Sequence, residues 1–139
     1  MIMGCILNDV IQSKEMPNHE LLICIDALQN LFDNDIKNIK FINEYMKYKQ
    51  NINKRYKSFY PYGKEVKDKM REFNIDKVSL FLTLDKATSH QLLLKEIGTN
   101  LNIDEDTLSF SDADNDEYFS FSKPGEILNK FISKVDNYI

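Results

Sequence analysis

Apolar residues in the first half of the chain repeat every three or four positions, the spacing of helices with one buried face. The pattern predicts helices over about 2–14, 18–32, 36–52 and 64–74. Asn18 stands where the second helix should begin, and its side chain is of the type that caps a helix N-terminus. Pro61 and Gly63 predict a turn before the fourth helix.

The pattern changes after residue 76. The compact apolar run at 77–84 predicts a largely buried strand, and residues 87–101 predict a helix. Two short alternating runs, 108–110 and 119–121, predict a hairpin. A clear amphipathic stripe from Ser122 to Tyr138 predicts a last helix, with Pro124 in its first turn.

These elements predict an α+β fold with a small, mostly antiparallel sheet. N-terminal helices would occupy about 1–75, and a β-α-β-β-α part would occupy about 77–139. A length of 139 residues is typical of a single domain, here 1–139. A chain of this length with 42% apolar residues can bury a core without a metal or a disulfide.

Cysteine usage and the lack of targeting signals predict a cytoplasmic protein. Cys5 and Cys24 both lie among apolar neighbours, which is typical of buried, reduced thiols. No basic stretch and apolar run precede Cys5, so no export signal is recognised. No apolar run approaches the length of a membrane span, and we expect no membrane partner.

The sequence lacks the usual signatures of catalysis and cofactor binding. The four glycines are widely separated, which excludes a dinucleotide fingerprint and a P-loop. His19, His90 and the two cysteines do not have the spacing of zinc ligands. We therefore predict no enzyme, no catalytic residue, no cofactor and no metal.

An acidic run at 112–117 partly matches a calcium loop. Asp112, Asp114 and Asp116 occupy the first three ligand positions of an EF-hand. However, Glu117 stands where that loop needs glycine, and Lys123 stands where it needs a bidentate glutamate. A true EF-hand is therefore not predicted.

Charge is sorted into three blocks along the chain. Residues 1–36 carry a net −5, residues 37–77 carry +7 and residues 78–139 carry −6, within a total of −4. Such sorting creates surface potentials that attract and orient charged partners. It favours a macromolecular partner over a small substrate.

The densest acidic cluster lies near the expected hairpin. A plain interpretation is a solvated loop that keeps the hairpin soluble. The functional hypothesis is a docking surface for a basic protein, because complementary fields accelerate association and aromatic neighbours anchor it. The candidate partner-binding residues are Asp104, Glu105, Asp106, Asp112, Asp114, Asp116, Glu117 and Tyr118.

The basic block supports an alternative function. Lysines and tyrosines alternate across 45–62, a composition that suits single-stranded nucleic acid because it offers phosphate contacts and stacking faces. The candidate nucleic-acid-binding residues are Lys47, Lys49, Lys54, Arg55, Tyr56 and Lys57. Two plainer interpretations remain open: a solvated lysine face whose aromatic residues pack on the core, and charge pairing of this block with the acidic blocks.

Residues 116–132, DEYFSFSKPGEILNKFI, have the pattern of a strand that runs into a terminal helix. With its small size, acidity, many asparagines and missing catalytic motifs, the chain resembles bacterial immunity proteins of contact-dependent and related polymorphic toxin systems. The resemblance implies a cytoplasmic, non-catalytic protein that neutralises a cognate toxin, often a nuclease, by direct binding. It assigns no individual residue, so the binding residues above follow from charge alone.

Overall fold

The computed structural model describes residues 18–98 and 116–136, together with residue 4. In this part of the chain five helices and two strands follow one another. They are α1 (His19–Leu28), α2 (Asp33–Ile52), α3 (Lys64–Glu72), α4 (Lys77–Ser89), β1 (Leu93–Gly98), β2 (Asp116–Phe121) and α5 (Lys123–Asp136). The predicted α+β class and the small antiparallel sheet are confirmed.

Helices α1, α2, α3 and α5 lie where the periodicity predicts them. The Asn18 side chain caps α1 by accepting a hydrogen bond from the Leu21 N–H at 2.8 Å. Helix α2 ends at Ile52, and the chain then turns through Pro61 and Gly63 into α3. The helix predicted over 2–14 lies outside the described residues.

The predicted strand at 77–84 is wrong, because these residues form the first two turns of α4. The Asp76 side chain starts this helix by accepting a hydrogen bond from the Ser79 N–H at 2.9 Å. The apolar run is not buried on all sides: Val78 is 67% exposed and Leu82 is 62% exposed. The buried positions instead repeat at helical spacing, at Leu80, Thr83, Leu84 and Ala87.

The predicted helix over 87–101 is also wrong. Helix α4 ends at Ser89, and Gln91 adopts a left-handed backbone conformation with φ of 63°. The Leu92 N–H then donates to the Ala87 carbonyl at 2.8 Å, which satisfies a terminal acceptor of the helix. After this reversal the chain continues as strand β1, Leu93–Gly98.

The predicted strand 119–121 pairs with β1 in the described part of the chain. Strand β2 contains residues 119–121 and pairs antiparallel with β1, with Leu93 opposite Phe121 and Gly98 opposite Asp116. The other predicted hairpin strand, 108–110, lies outside the described residues. The sheet therefore joins the end of α4 to the start of α5.

One hydrophobic core connects the helices to the sheet. Helix α1 packs against α5, α2 packs against α4 and α5, and β1 packs against α4. The largest fully buried side chains are Phe59, Phe119, Ile39, Ile42, Leu80, Leu84, Leu92, Leu93 and Leu128. Cys24 is a buried free thiol, as predicted, and burial raises its pKa to about 11. Cys5 lies outside the described residues.

A serine clamp fixes the start of α5 to the turn before β1. The Ser122 hydroxyl donates to the carbonyl oxygens of Gln91 at 2.5 Å and Leu92 at 3.0 Å, and accepts from the Gly125 N–H at 3.2 Å. Gly125 lies so close to this turn that an added Cβ would stand 2.1 Å from the Leu92 carbonyl oxygen. The orientation of the last helix relative to the sheet thus depends on a position without a side chain.

A buried polar network joins α2 to α4. The Asp35 carboxylate, 6% exposed, accepts hydrogen bonds from the Thr83 hydroxyl at 2.7 Å and the Lys86 ammonium at 2.8 Å. The Phe32 N–H donates to the same carboxylate at 2.9 Å. Asn38 extends the network by donating to Thr83 at 2.9 Å. These bonds help to set the register between the two helices.

Candidate functional site: an aromatic and acidic patch

Two buried phenylalanines bring the end of the basic segment onto strand β2. The Phe59 N–H donates to the Phe119 carbonyl at 2.6 Å, and the Phe119 N–H donates to the Phe59 carbonyl at 2.9 Å. Both side chains are fully buried. Because neighbouring residues on a strand point to opposite faces, Tyr60 and Tyr118 then emerge together on the outer face.

Four aromatic rings form a continuous row from the sheet to α4. Tyr118 stacks on Tyr60 with ring centroids 5.1 Å apart and planes 24° apart. The Tyr60 and Tyr62 centroids are 5.4 Å apart, and Tyr62 and Phe81 are also 5.4 Å apart. Tyr62 is 39% exposed, and the other three rings are half-buried. The row therefore presents aromatic surface to solvent while its members stay fixed by one another.

Gly98 makes room for the first ring of this row. A Cβ added at Gly98 would stand 2.9 Å from Cε2 of Tyr118, because these two residues are near neighbours across the sheet. The glycine therefore lets the Tyr118 ring lie close against β1, where it can stack on Tyr60.

Carboxylates adjoin the aromatic row. Burial, followed by the charge of Asp116 and a hydrogen bond with its carboxylate, raises the pKa of Tyr60 to about 12. Burial, followed by the charges of Glu117, Asp116 and Asp85, raises the pKa of Tyr62. The tyrosine hydroxyls therefore stay protonated at physiological pH, and the negative charge of the site comes from the carboxylates. We call Tyr60, Tyr62, Phe81, Asp116, Glu117 and Tyr118 the aromatic–acidic patch.

The patch already holds one cation from its own chain. The Lys95 ammonium lies 3.4 Å from Oε1 of Glu117, and their side chains are 35% and 30% exposed. Lys49–Glu65 and Lys86–Asp35 are shorter, at 2.7 Å and 2.8 Å, whereas Lys69–Glu72 is similar at 3.3 Å. A half-exposed pair at the longer distance contributes little to stability and leaves Glu117 open to competition.

The structure places three of the predicted partner-binding residues together. Asp116 and Tyr118 share one face of β2, whereas Glu117 between them adjoins the aromatic row through its charge near Tyr62. They are half-buried in a strand, not displayed at an open hairpin tip. The remaining predicted acids, Asp104, Glu105, Asp106, Asp112 and Asp114, lie outside the described residues.

The predicted nucleic-acid-binding residues separate into a basic surface and a packed aromatic. Lys47, Lys54, Arg55 and Lys57 are exposed, whereas Lys49 is paired with Glu65. Tyr56 is half-buried, and its ring meets that of buried Tyr45 edge-on, with centroids 6.4 Å apart. Burial raises the pKa of Tyr56 to about 12. The aromatic member of this set therefore packs on the core instead of offering a free stacking face.

Sequence reasoning missed Tyr60, Tyr62 and Phe81 as members of an acidic site. It grouped Tyr60 and Tyr62 with the basic segment, because they follow Lys57 in the chain. Their actual neighbours come from strand β2 and helix α4. No local sequence signal identifies them, because their position depends on the pairing of Phe59 with Phe119, two apolar residues on segments far apart in sequence.

A groove between α1, α2 and α5 has a volume of about 710 Å³. Its lining mixes signs, since Lys47, Lys123 and Lys130 stand with Glu20 and Glu126. Asn129 also lines the groove, and its Oδ1 accepts no hydrogen bond from the described residues. That atom is sealed from the surface, so a ligand in the groove would not reach it.

Metal binding and membrane crossing have no support in the described part of the chain. Among residues 18–98 and 116–136, no three His, Cys, Asp or Glu side chains stand together as a metal site. None of the described helices combines the length and apolar character that crossing a membrane requires.

Compared with known proteins, the chain matches no protein-family model, no curated protein sequence and no solved structure.

Proposed function

We propose that this protein is an inhibitory binding protein that neutralises a cognate toxin by direct contact, most simply a nuclease with a basic active-site cleft. The observation that carries the proposal is the aromatic–acidic patch. Carboxylates at the edge of a rigid surface present negative charge where a nuclease cleft expects phosphate, and this complementarity speeds association. The proposal assigns no reaction to the chain.

The aromatic row supplies the second half of the argument. Tyrosines are enriched among interface residues that dominate binding energy, because a large ring and a hydroxyl are buried at a small cost in conformational entropy. In this patch the rings are held by mutual contacts before any partner arrives. A preorganised surface loses less freedom on binding, which favours tight inhibition.

The alternative function, binding of single-stranded nucleic acid through the Lys/Tyr segment 45–62, keeps two supporting observations, the first of which is the exposed ring of Tyr48. Lys47, Lys54, Arg55 and Lys57 are exposed and would attract phosphates. The packing of Tyr56 against Tyr45 counts against it, because sequence-tolerant binding of single strands needs exposed rings for stacking.

The test is inhibition of the captured toxin. We expect the protein, immobilised in a lysate of its native cells, to retain a toxin whose nuclease activity it blocks at equal stoichiometry. Replacing Tyr62 and Tyr118 together with alanine should raise the Kd for that toxin at least about 100-fold, the loss expected for two anchoring residues.

Tyr48→Ala is the matched control, because Tyr48 is an exposed tyrosine on α2 outside the patch. Circular dichroism of each variant verifies that the fold is intact. Equal inhibition by the patch variant and the Tyr48 variant would remove the patch from the interface. Retention of nucleic acid, with no inhibited toxin, would favour the alternative.

A further inference from the structure

We infer that the aromatic–acidic patch recognises an arginine side chain of its partner in preference to a lysine side chain. This inference deepens the proposed function and rests on the same surface. It concerns the chemistry of the contact, so it can be tested without the toxin.

A guanidinium is planar, and it can lie on an aromatic face while its edge donates hydrogen bonds to a carboxylate. The patch offers both partners side by side. Asp116 stands two positions before Tyr118 on the same face of β2, and the Tyr118 ring stacks on Tyr60 with centroids 5.1 Å apart. An ammonium group is a compact and strongly hydrated charge, and it gains less from a stacked surface.

Two carboxylates adjoin the aromatic row. Asp116 lies on the same face of β2 as Tyr118, the first ring of the row. Glu117, on the next position of β2, holds the Lys95 ammonium at 3.4 Å, longer than the usual distance of charge-assisted hydrogen bonds, about 2.7–2.9 Å. The site thus accepts a cation at Glu117 but binds its own lysine loosely. A guanidinium with better geometry would displace Lys95 from Glu117.

The hydroxyls of Tyr60 and Tyr62 are neutral at physiological pH, as those of tyrosines usually are, so they offer oxygen acceptors without adding charge. The five N–H donors of an arginine can use such acceptors together with a carboxylate, whereas a lysine has three donors around a single atom. The hydroxyl and carboxylate oxygens around the row therefore suit a guanidinium, which has several N–H donors in one plane.

The experiment compares two probes of equal charge. Fluorescence anisotropy measures the binding of labelled hexa-arginine and hexa-lysine peptides to the full chain in the same buffer. We expect hexa-arginine to bind about 10-fold more tightly or better, the ratio expected from one cation–π contact with a desolvated ring. The remaining acids of the chain attract both peptides, so the variants below assign the preference to the patch.

Two pairs of variants locate the effect. Tyr62→Leu with Tyr118→Leu should bring hexa-arginine to the affinity of hexa-lysine, whereas Tyr48→Leu should keep the preference. Lys95→Met should tighten hexa-arginine binding more than Lys130→Met, which removes the same charge from an exposed position on α5. Equal affinities of the two peptides for the unaltered chain, or a preference that survives the double tyrosine substitution, would overturn the inference.

The outcomes separate this inference from the proposed function. If the peptides bind equally but the double tyrosine variant still fails to inhibit the captured toxin, the patch is the interface and arginine selectivity is wrong. If the arginine preference depends on the tyrosines but the captured toxin is not inhibited, the contact chemistry is right and the inhibitory function is wrong.

Discussion

Replacing Gly125 with alanine is expected to lower the free energy of unfolding by about 3 kcal/mol or more. The new Cβ would stand 2.1 Å from the Leu92 carbonyl oxygen and 3.0 Å from Cδ1 of Phe121. The first of these neighbours is backbone, and the Ser122 hydroxyl holds it in place. The clash can therefore be relieved only by moving α5 away from the turn that precedes β1.

Urea denaturation followed by circular dichroism measures this effect. Gly63→Ala is the matched control, because its added Cβ would have no neighbour closer than 3.7 Å, an ordinary contact. We expect the control to change stability by less than about 1 kcal/mol. A Gly125 variant as stable as the Gly63 variant would contradict the close packing of α5 against this turn.

Replacing Asp35 with asparagine is expected to cost about 2–4 kcal/mol. The Lys86 ammonium and the Phe32 N–H both donate to Oδ2 of Asp35, while the Thr83 hydroxyl donates to Oδ1. An amide can keep one acceptor for Thr83, but its NH₂ group then faces two donors in a buried place. Asp33→Asn is the matched control, since Asp33 is an exposed acid in the same first helical turn.

The pH dependence of this cost has a defined sign. Burial alone would raise the pKa of Asp35, but the hydrogen bonds from Lys86, Phe32 and Thr83 outweigh it and lower the pKa below its ordinary value. The stabilisation is therefore complete above the unfolded pKa, about 3.9, and is lost as the pH falls through the folded pKa. The stability difference between the unaltered protein and Asp35→Asn should be constant from about pH 5 to 7 and shrink below about pH 4. A difference that grows on acidification would contradict the ionised network.

Periodicity was sufficient to locate the helices that bury a single face. It failed at 77–84, where apolar residues stand on both faces of α4 and leave Val78 and Leu82 exposed. A helix with apolar residues on both faces has the same local composition as a buried strand. The capping residue Asp76 was the available signal for a helix start.

The helix predicted over 87–101 is wrong because α4 ends at Ser89, and no glycine marks that end in the sequence. Asn74 closes α3 and Gln91 follows α4 with left-handed backbone angles, φ of 56° and 63°. Asparagine tolerates this region because its short side chain bonds locally, but glutamine seldom adopts it. The tertiary contacts of the Leu92 turn with Ser122 stabilise the reversal, and no local pattern reports them.

Charge patterning identified part of the candidate site. It selects Asp116, Glu117 and Tyr118, which lie at the patch, but it groups Tyr60 and Tyr62 with the basic segment 45–62. The ion pairs Lys49–Glu65 and Lys69–Glu72 show that the basic block is partly neutralised by its own acids. Which side chains share a surface depends on the pairing of Phe59 with Phe119, a long-range contact that charge counts do not contain.

The central claim is that the aromatic–acidic patch forms the interface with the inhibited toxin. Hydrogen–deuterium exchange of the protein, alone and bound to the toxin it captures, tests this claim without any substitution. We expect slower exchange at residues 59–62 and in strands β1 and β2, with no change along 47–57. Protection confined to 47–57, with the patch exchanging as in the free protein, would contradict the account.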